Sequence, residues 1–210
     1  MKLAPFFRNY ELLVDRAELA FQRMEKEHGS CIRCRLHCAD CCNAIFGLFL
    51  VEAVYLREHF NHIEEGKKQQ ALLRGEEADR NLEAFQKRLR TFEDDPHMQT
   101  YALARERIRC PLLDDQDECI LYHRRPITCR VYGIPTKMQG KNHVCGKSDF
   151  KEGKRYPLFD LDVVYRELYV LSNELLEEAG APSADKAALL ISVSKAIQTS
   201  TDDLIKEDFR

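Results

Sequence analysis

The sequence contains no apolar stretch approaching the ~18 residues that a membrane span needs. Its longest apolar run, Ala44 to Val51, is far shorter and includes Gly47, so no membrane partner is expected. The first residues, Met1 to Arg8, have no apolar leader core and turn polar at once. The expected location is therefore cytoplasmic. Internal repeats, low-complexity tracts and Gly/Ser linkers are also missing, which predicts a single domain over residues 1–210. Neither sign of charge dominates: the formal net charge is −3. Nothing global invites nucleic acid or an acidic membrane surface, and a nucleic-acid partner is disfavoured. No nucleophile–base pair and no paired carboxylates stand out, so no catalytic constellation is visible and an enzymatic role stays open.

Against these absences stand nine cysteines. A reducing compartment seldom keeps structural disulfides, and an odd number fits a closed disulfide framework poorly. The cysteines are also grouped. Five lie between Cys31 and Cys42, four between Cys110 and Cys145, and the 67 residues between the groups contain none. A single cysteine of unknown context is usually a small buried hydrophobe. Two dense groups are what a metal site produces, because its ligands must converge from a few loops.

Around these groups the pattern predicts a mainly α-helical domain with irregular cysteine-rich metal-binding loops and a small β-hairpin. Apolar residues recur at helical spacing over residues 9–28, 48–61, 64–92, 97–108, 160–179 and 184–198. Gly75 is a candidate interruption of the third helix. Asp160 is a candidate N-cap and Gly180 a stop signal for the fifth. The hairpin is expected from Cys110–Leu113 and Cys119–Tyr122, joined by the acidic turn Asp114–Glu118. That turn reads as solvated surface. Pro126 and Pro135 should keep the following stretch out of long helix.

The first group reads Cys31-Ile-Arg-Cys34-Arg-Leu-His-Cys38-Ala-Asp-Cys41-Cys42 and holds two C-x2-C steps. One tight turn of that spacing points two sulfurs at one metal and leaves backbone N–H groups free to bond the thiolates. The candidate ligands are Cys34, Cys38, Cys41, Cys42, Cys110, Cys119, Cys129 and Cys145, with Cys31 as an extra. Cys41 and Cys42 pose a problem, because neighbouring side chains point apart in extended backbone. They would serve two metals or a multinuclear centre, or one of them is a buried apolar residue. His37, His123 and His143 lie near cysteines, but surface histidines are commoner than ligands and none is chosen.

Four thiolates around one Zn²⁺ or one oxidised [4Fe–4S] core leave about −2 of charge. Burying that charge needs donors or cations. Arg33, Arg35, Arg109, Arg124, Arg125 and Arg130 lie beside the cysteines. Arg125 and Arg130 are the best candidates to bond or pack around the sulfurs. The alternative, solvated surface charge, is the expectation for some of the six. C-x2-C steps serve zinc and iron–sulfur sites alike, so the expected cofactor is zinc or iron, the latter including a 4Fe-4S cluster.

The second group reads Cys110-Pro111-Leu112-Leu113, then Cys119-x-x-Tyr122-x-x-Arg125-Pro126-x-x-Cys129-Arg130-x-Tyr132. Together with Cys38-Ala-Asp-Cys41-Cys42, it resembles the cysteine-cluster family with the early signature CxxCxxCC. The resemblance covers about residues 31–55 and 108–146. It implies chelation of zinc or iron and says little about a reaction. Relatives of the flagellin lysine methylase type carry a similar cluster, but this chain has no Gly-rich nucleotide or S-adenosylmethionine loop to match. The signature is also altered. Cys34 stands four residues before Cys38 instead of three, and Cys31 is additional, which leaves the first ligand open.

Overall fold

The computed structural model describes residues 2–206. Its centre is the helix α2, Leu50–Phe60. Leu50, Val51, Ala53, Val54, Tyr55 and Leu56 are all buried, so the first two turns of this helix are covered on every side. A helix of that kind must be enclosed by others. On one side it meets α1, Ala4–His28, and α5, Ile127–Val131. There Tyr10, Leu13, Ala17 and Met24 of α1 join Ile127 and Val131 in one apolar cluster. On the other side it meets the C-terminal helices α7 to α9, Ala184–Ala188, Val193–Gln198 and Thr201–Lys206. Ala187, Ala196, Ile197, Leu204 and Ile205 pack there against Ala53, Val54 and Phe60. The long helix α6, Leu161–Glu178, contributes to both clusters through Leu168 on one side and Leu175 and Leu176 on the other.

Helix α3, Glu65–Arg90, runs through Gly75 without a break. A Cβ at Gly75 would meet the Gln198 side chain at 2.9 Å, so this glycine permits α3 to lie close to α8. Helix α4, Pro96–Arg105, begins at an Asp95 cap that accepts from the His97 and Met98 N–H groups. The expected cap of α6 is present: Asp160 accepts from the Val163 N–H. Gly180 ends this helix at φ +69°, a left-handed conformation that glycine adopts without steric cost.

Two expectations need correction. The helix expected over 184–198 is two helices, α7 and α8. Between them Ile191 forms a β-bridge with Leu48, with both backbone hydrogen bonds at 2.8 Å, and this pairing outweighs helix continuation. The hairpin expected at Cys110–Tyr122 is reduced to an isolated bridge between Leu113 and Cys119, after which Tyr122–Arg124 turn into a 3-10 helix. The actual hairpin lies later. Thr136–Met138 (β1) pairs antiparallel with Lys141–His143 (β2), and Phe159–Asp160 (β3) adds to β1 in parallel.

The Leu48–Ile191 bridge depends on Gly47. A Cβ there would lie 2.5 Å from the Leu190 Cβ and 3.2 Å from its backbone. Gly47→Ala is therefore expected to destabilise the protein by about 1–3 kcal/mol, the usual cost of overpacking. Gly66→Ala is the control. It faces nothing nearer than the Glu64 carboxylate at 3.8 Å and should be neutral or stabilising, since alanine favours a helix over glycine. Urea midpoints of the two variants would check the opposite signs.

Candidate metal centre

Backbone pairing assembles the cysteines. Cys41–Asn43 form a 3-10 turn, and the chain leading to Cys110 lies against it. The Ile108 N–H donates to the Asn43 carbonyl at 3.1 Å, and the Cys110 N–H to the Cys42 carbonyl at 2.7 Å. Cys119 returns to Cys110 because the acidic turn folds tightly. The Asp114 carboxylate accepts from the Gln116 and Glu118 N–H groups at 3.0 and 2.8 Å. The Ile120 N–H then reaches the Leu112 carbonyl at 2.9 Å. Asp114 thus shapes the site as well as facing water.

Cys129 arrives on α5, and the start of α5 is fixed from the core. The buried Glu52 accepts from the Ile127 N–H at 3.2 Å, the Tyr10 hydroxyl at 3.3 Å and the Phe49 N–H at 3.3 Å. Burial pushes this carboxyl up to about 7 despite the three donors and the positive charge of Arg130.

The eight candidate ligands fall into two adjacent sets. Cys41, Cys42, Cys110, Cys119 and Cys129 form the inner set, in which each sulfur feels the charge of others. The helical turn points Cys41 and Cys42 the same way, and their sulfurs are 4.0 Å apart. The divergence expected for extended backbone does not apply. Cys41 is held well below the ordinary thiol range, because Cys129 and Cys42 donate to its sulfur and Arg125 lies near. Burial pushes Cys110 up to about 12 and Cys119 to about 11.

Cys34, Cys38 and Cys145 form the outer set. Burial and the charges of Cys38 and Cys145 raise the Cys34 thiol to about 12. Cys145 donates to Asp40 at 3.4 Å and accepts from the Lys147 N–H at 3.4 Å. Cys31 joins neither set and packs on the α1 side of the core. All nine cysteines are free thiols. Among the described residues, no group of three or more His, Cys, Asp or Glu side chains is placed so that it could hold a metal ion as it stands. The sulfurs are gathered, and closing around an ion would require side-chain adjustment.

The arginines divide as well. Arg125 stacks on Tyr122, 3.9 Å from the ring centroid, pairs with Glu18 at 3.6 Å and lowers the Cys41 and Cys119 thiols. Arg130 is buried and works on the backbone, donating to the Arg125 carbonyl at 2.8 Å and the His123 carbonyl at 2.7 Å while it pairs with Glu18. Arg33 pairs with Asp149, Arg109 with Asp117 and Arg124 with Glu11. These three serve surface ion pairs. His37 is held by the Gln116 carbonyl at 2.9 Å.

Two contributors escaped sequence reasoning. Glu52 is the lone charge in Leu50-Val51-Glu52-Ala53-Val54, and a charge within an apolar run is the signal that marks it. Asp40 lies between Cys38 and Cys41, an oxygen donor among sulfurs.

The sulfur-rich centre is of the kind that metal-chelating domains carry. The profile of the CxxCxxCC family, described as "Putative zinc- or iron-chelating domain", matches residues 33–146. The match spans more than half of the chain and every candidate ligand, and the chain belongs to this family. No curated protein and no solved structure matches it. Among the described residues, no helix is long and apolar enough to cross a membrane.

Proposed function

We propose that the inner set chelates one zinc ion through four of its five thiolates. The spacing of Cys41 and Cys42 carries this reading. Zinc–sulfur bonds of about 2.3 Å in a tetrahedron place neighbouring sulfurs about 3.8 Å apart. The observed separation is 4.0 Å, so two adjacent thiols already span one edge. A [4Fe–4S] core takes its four terminal thiolates on four different irons, further apart than that edge. An all-sulfur donor set with no oxygen or nitrogen also suits zinc among the divalent ions.

The surroundings support the same reading. Arg125 offsets part of the thiolate charge, and the turns leave backbone N–H groups beside the sulfurs. The raised thiols of Cys110 and Cys119 are protonated at neutral pH, so binding releases protons and affinity falls as pH is lowered. Five thiols for four positions leave one free to exchange, which favours a metal-handling role over a purely structural one. Such a site belongs in a reducing compartment, in keeping with a cytoplasmic location.

Elemental analysis and an absorption spectrum of protein purified without oxygen test the proposal. Stoichiometric zinc in a colourless protein is expected. A brown protein with iron and acid-labile sulfide would overturn it in favour of an iron–sulfur centre.

A further inference from the structure

We infer that the groove between α1 and α6 is a dimer interface, covered by a second copy of this chain whose own α6 runs antiparallel to the first. The inference is independent of metal chelation, since neither helix carries a cysteine.

The outer faces of the two helices keep apolar side chains in water. Leu12 and Leu19 on α1 stand two turns apart, as do Val163 and Val170 on α6, and all four are exposed. Leu12 is 62% and Val170 49% exposed, and both line the groove. A single apolar residue on a surface needs no partner. Two stripes on neighbouring helices make a patch of the kind that interfaces use.

The charges beside the groove select the occupant. Arg16 and Glu167 tie α1 to α6 at 2.9 Å and so answer each other within the chain. Arg166 and Glu174 are also exposed and line the groove, yet among the described residues neither has an ion-pair or hydrogen-bond partner. Eight residues separate them, about 12 Å along the helix, too far for them to pair with each other. Val170 lies midway, one turn from each. Arg166, Val170 and Glu174 thus form one ridge of i±4 spacing, and ridges of this spacing pack against each other in the commonest class of helix crossing. A two-fold axis at Val170 sets Arg166 opposite Glu174 of the partner subunit, and Glu174 opposite the partner subunit's Arg166. It also brings the two Val170 side chains together, with Leu12 of each copy alongside. Such a surface complements itself, as a two-fold interface must. An anionic partner, such as a nucleic acid or a lipid headgroup, would gain from Arg166 and be repelled by Glu174. Exposed ion pairs add little affinity, so they set the register while Leu12 and Val170 carry the binding.

The test is the mass of the full chain in solution, measured by sedimentation velocity over a range of concentrations under reducing conditions. The wild type is expected to pass from monomer to dimer as concentration rises. Val170→Glu sets two carboxylates against each other on the axis and should raise the dimer dissociation constant about ten-fold or more. Glu174→Arg places like charges opposite each other and should also weaken the dimer. Arg166→Glu/Glu174→Arg restores opposite charges and should recover it. Leu73→Glu, at an exposed position on α3, is the control and should change nothing. All these positions are exposed, so far-UV circular dichroism should be the same throughout. A monomer at every concentration, or a dimer that neither Val170→Glu nor Glu174→Arg weakens, would overturn the inference. A dimer weakened by Glu174→Arg and not recovered in the double variant would overturn the antiparallel pairing.

Discussion

Cys129→Ser and Cys119→Ser are expected to lower the metal content of the inner site, whereas Cys31→Ser should do so least. The reason is position. Cys129 donates to Cys41 and feels the charge of Cys110 and Cys119, so it touches most of the inner set. Cys119 closes the set from the far side of the acidic turn. Cys31 is engaged with the α1 core instead. Structural zinc contributes about 10–16 kcal/mol in small zinc-binding peptides. One of four thiolates then accounts for roughly 2–4 kcal/mol on an even division. A loss of that size lowers metal affinity by up to two to three orders of magnitude, and by less where the fifth thiol takes the vacated position. Metal content per chain, together with thermal unfolding, would check the ranking. Equal losses in all three variants would mean that the inner set is not the binding site.

Replacing Glu52 should do more damage to the fold than replacing any surface charge. The carboxylate accepts from Tyr10, Phe49 and Ile127 deep in the core. Alanine would leave those donors buried without a partner, at about 1–3 kcal/mol each, so a loss upward of about 3 kcal/mol is expected from the unpaired donors. The damage should reach the metal, because Ile127 opens the helix that carries Cys129. Glu52→Ala is therefore expected to lower both the urea midpoint and the metal content.

The Glu52 carboxyl also makes stability depend on pH. Its folded value, about 7, lies above the ordinary 4.5. The native state thus binds more protons than the unfolded chain between these values. Its contribution is fully present below about pH 4.5 and is lost as pH rises towards 7, with a slope of up to about 1.4 kcal/mol per unit. Glu52→Gln cannot titrate. The stability difference between wild type and this variant should shrink across that window and level off above it. A difference independent of pH would mean that the carboxylate keeps an ordinary proton affinity in the core.

Sequence alone determined the helices whose apolar stripes run uninterrupted and whose ends are chemically marked. Asp160 and Gly180 bound α6 because a cap and a left-handed stop act locally, within a few residues of chain. The metal-binding class was equally legible, since nine thiols in two dense groups have few other uses. What lay beyond the sequence depended on distant partners. Residues 184–198 carry a continuous helical pattern, yet Leu48, far along the chain, takes Ile191 into a bridge and splits the helix. The spacing of the cysteines could not divide them either, because Cys41 and Cys145 are allotted to different sets by the pairing of residues 108–110 with 42–43 and by the packing of Gly133 on Cys34. Local signals are written in adjacent residues. Which sulfurs come together is decided only when loops up to about a hundred residues apart are brought to one place by the packing of the core.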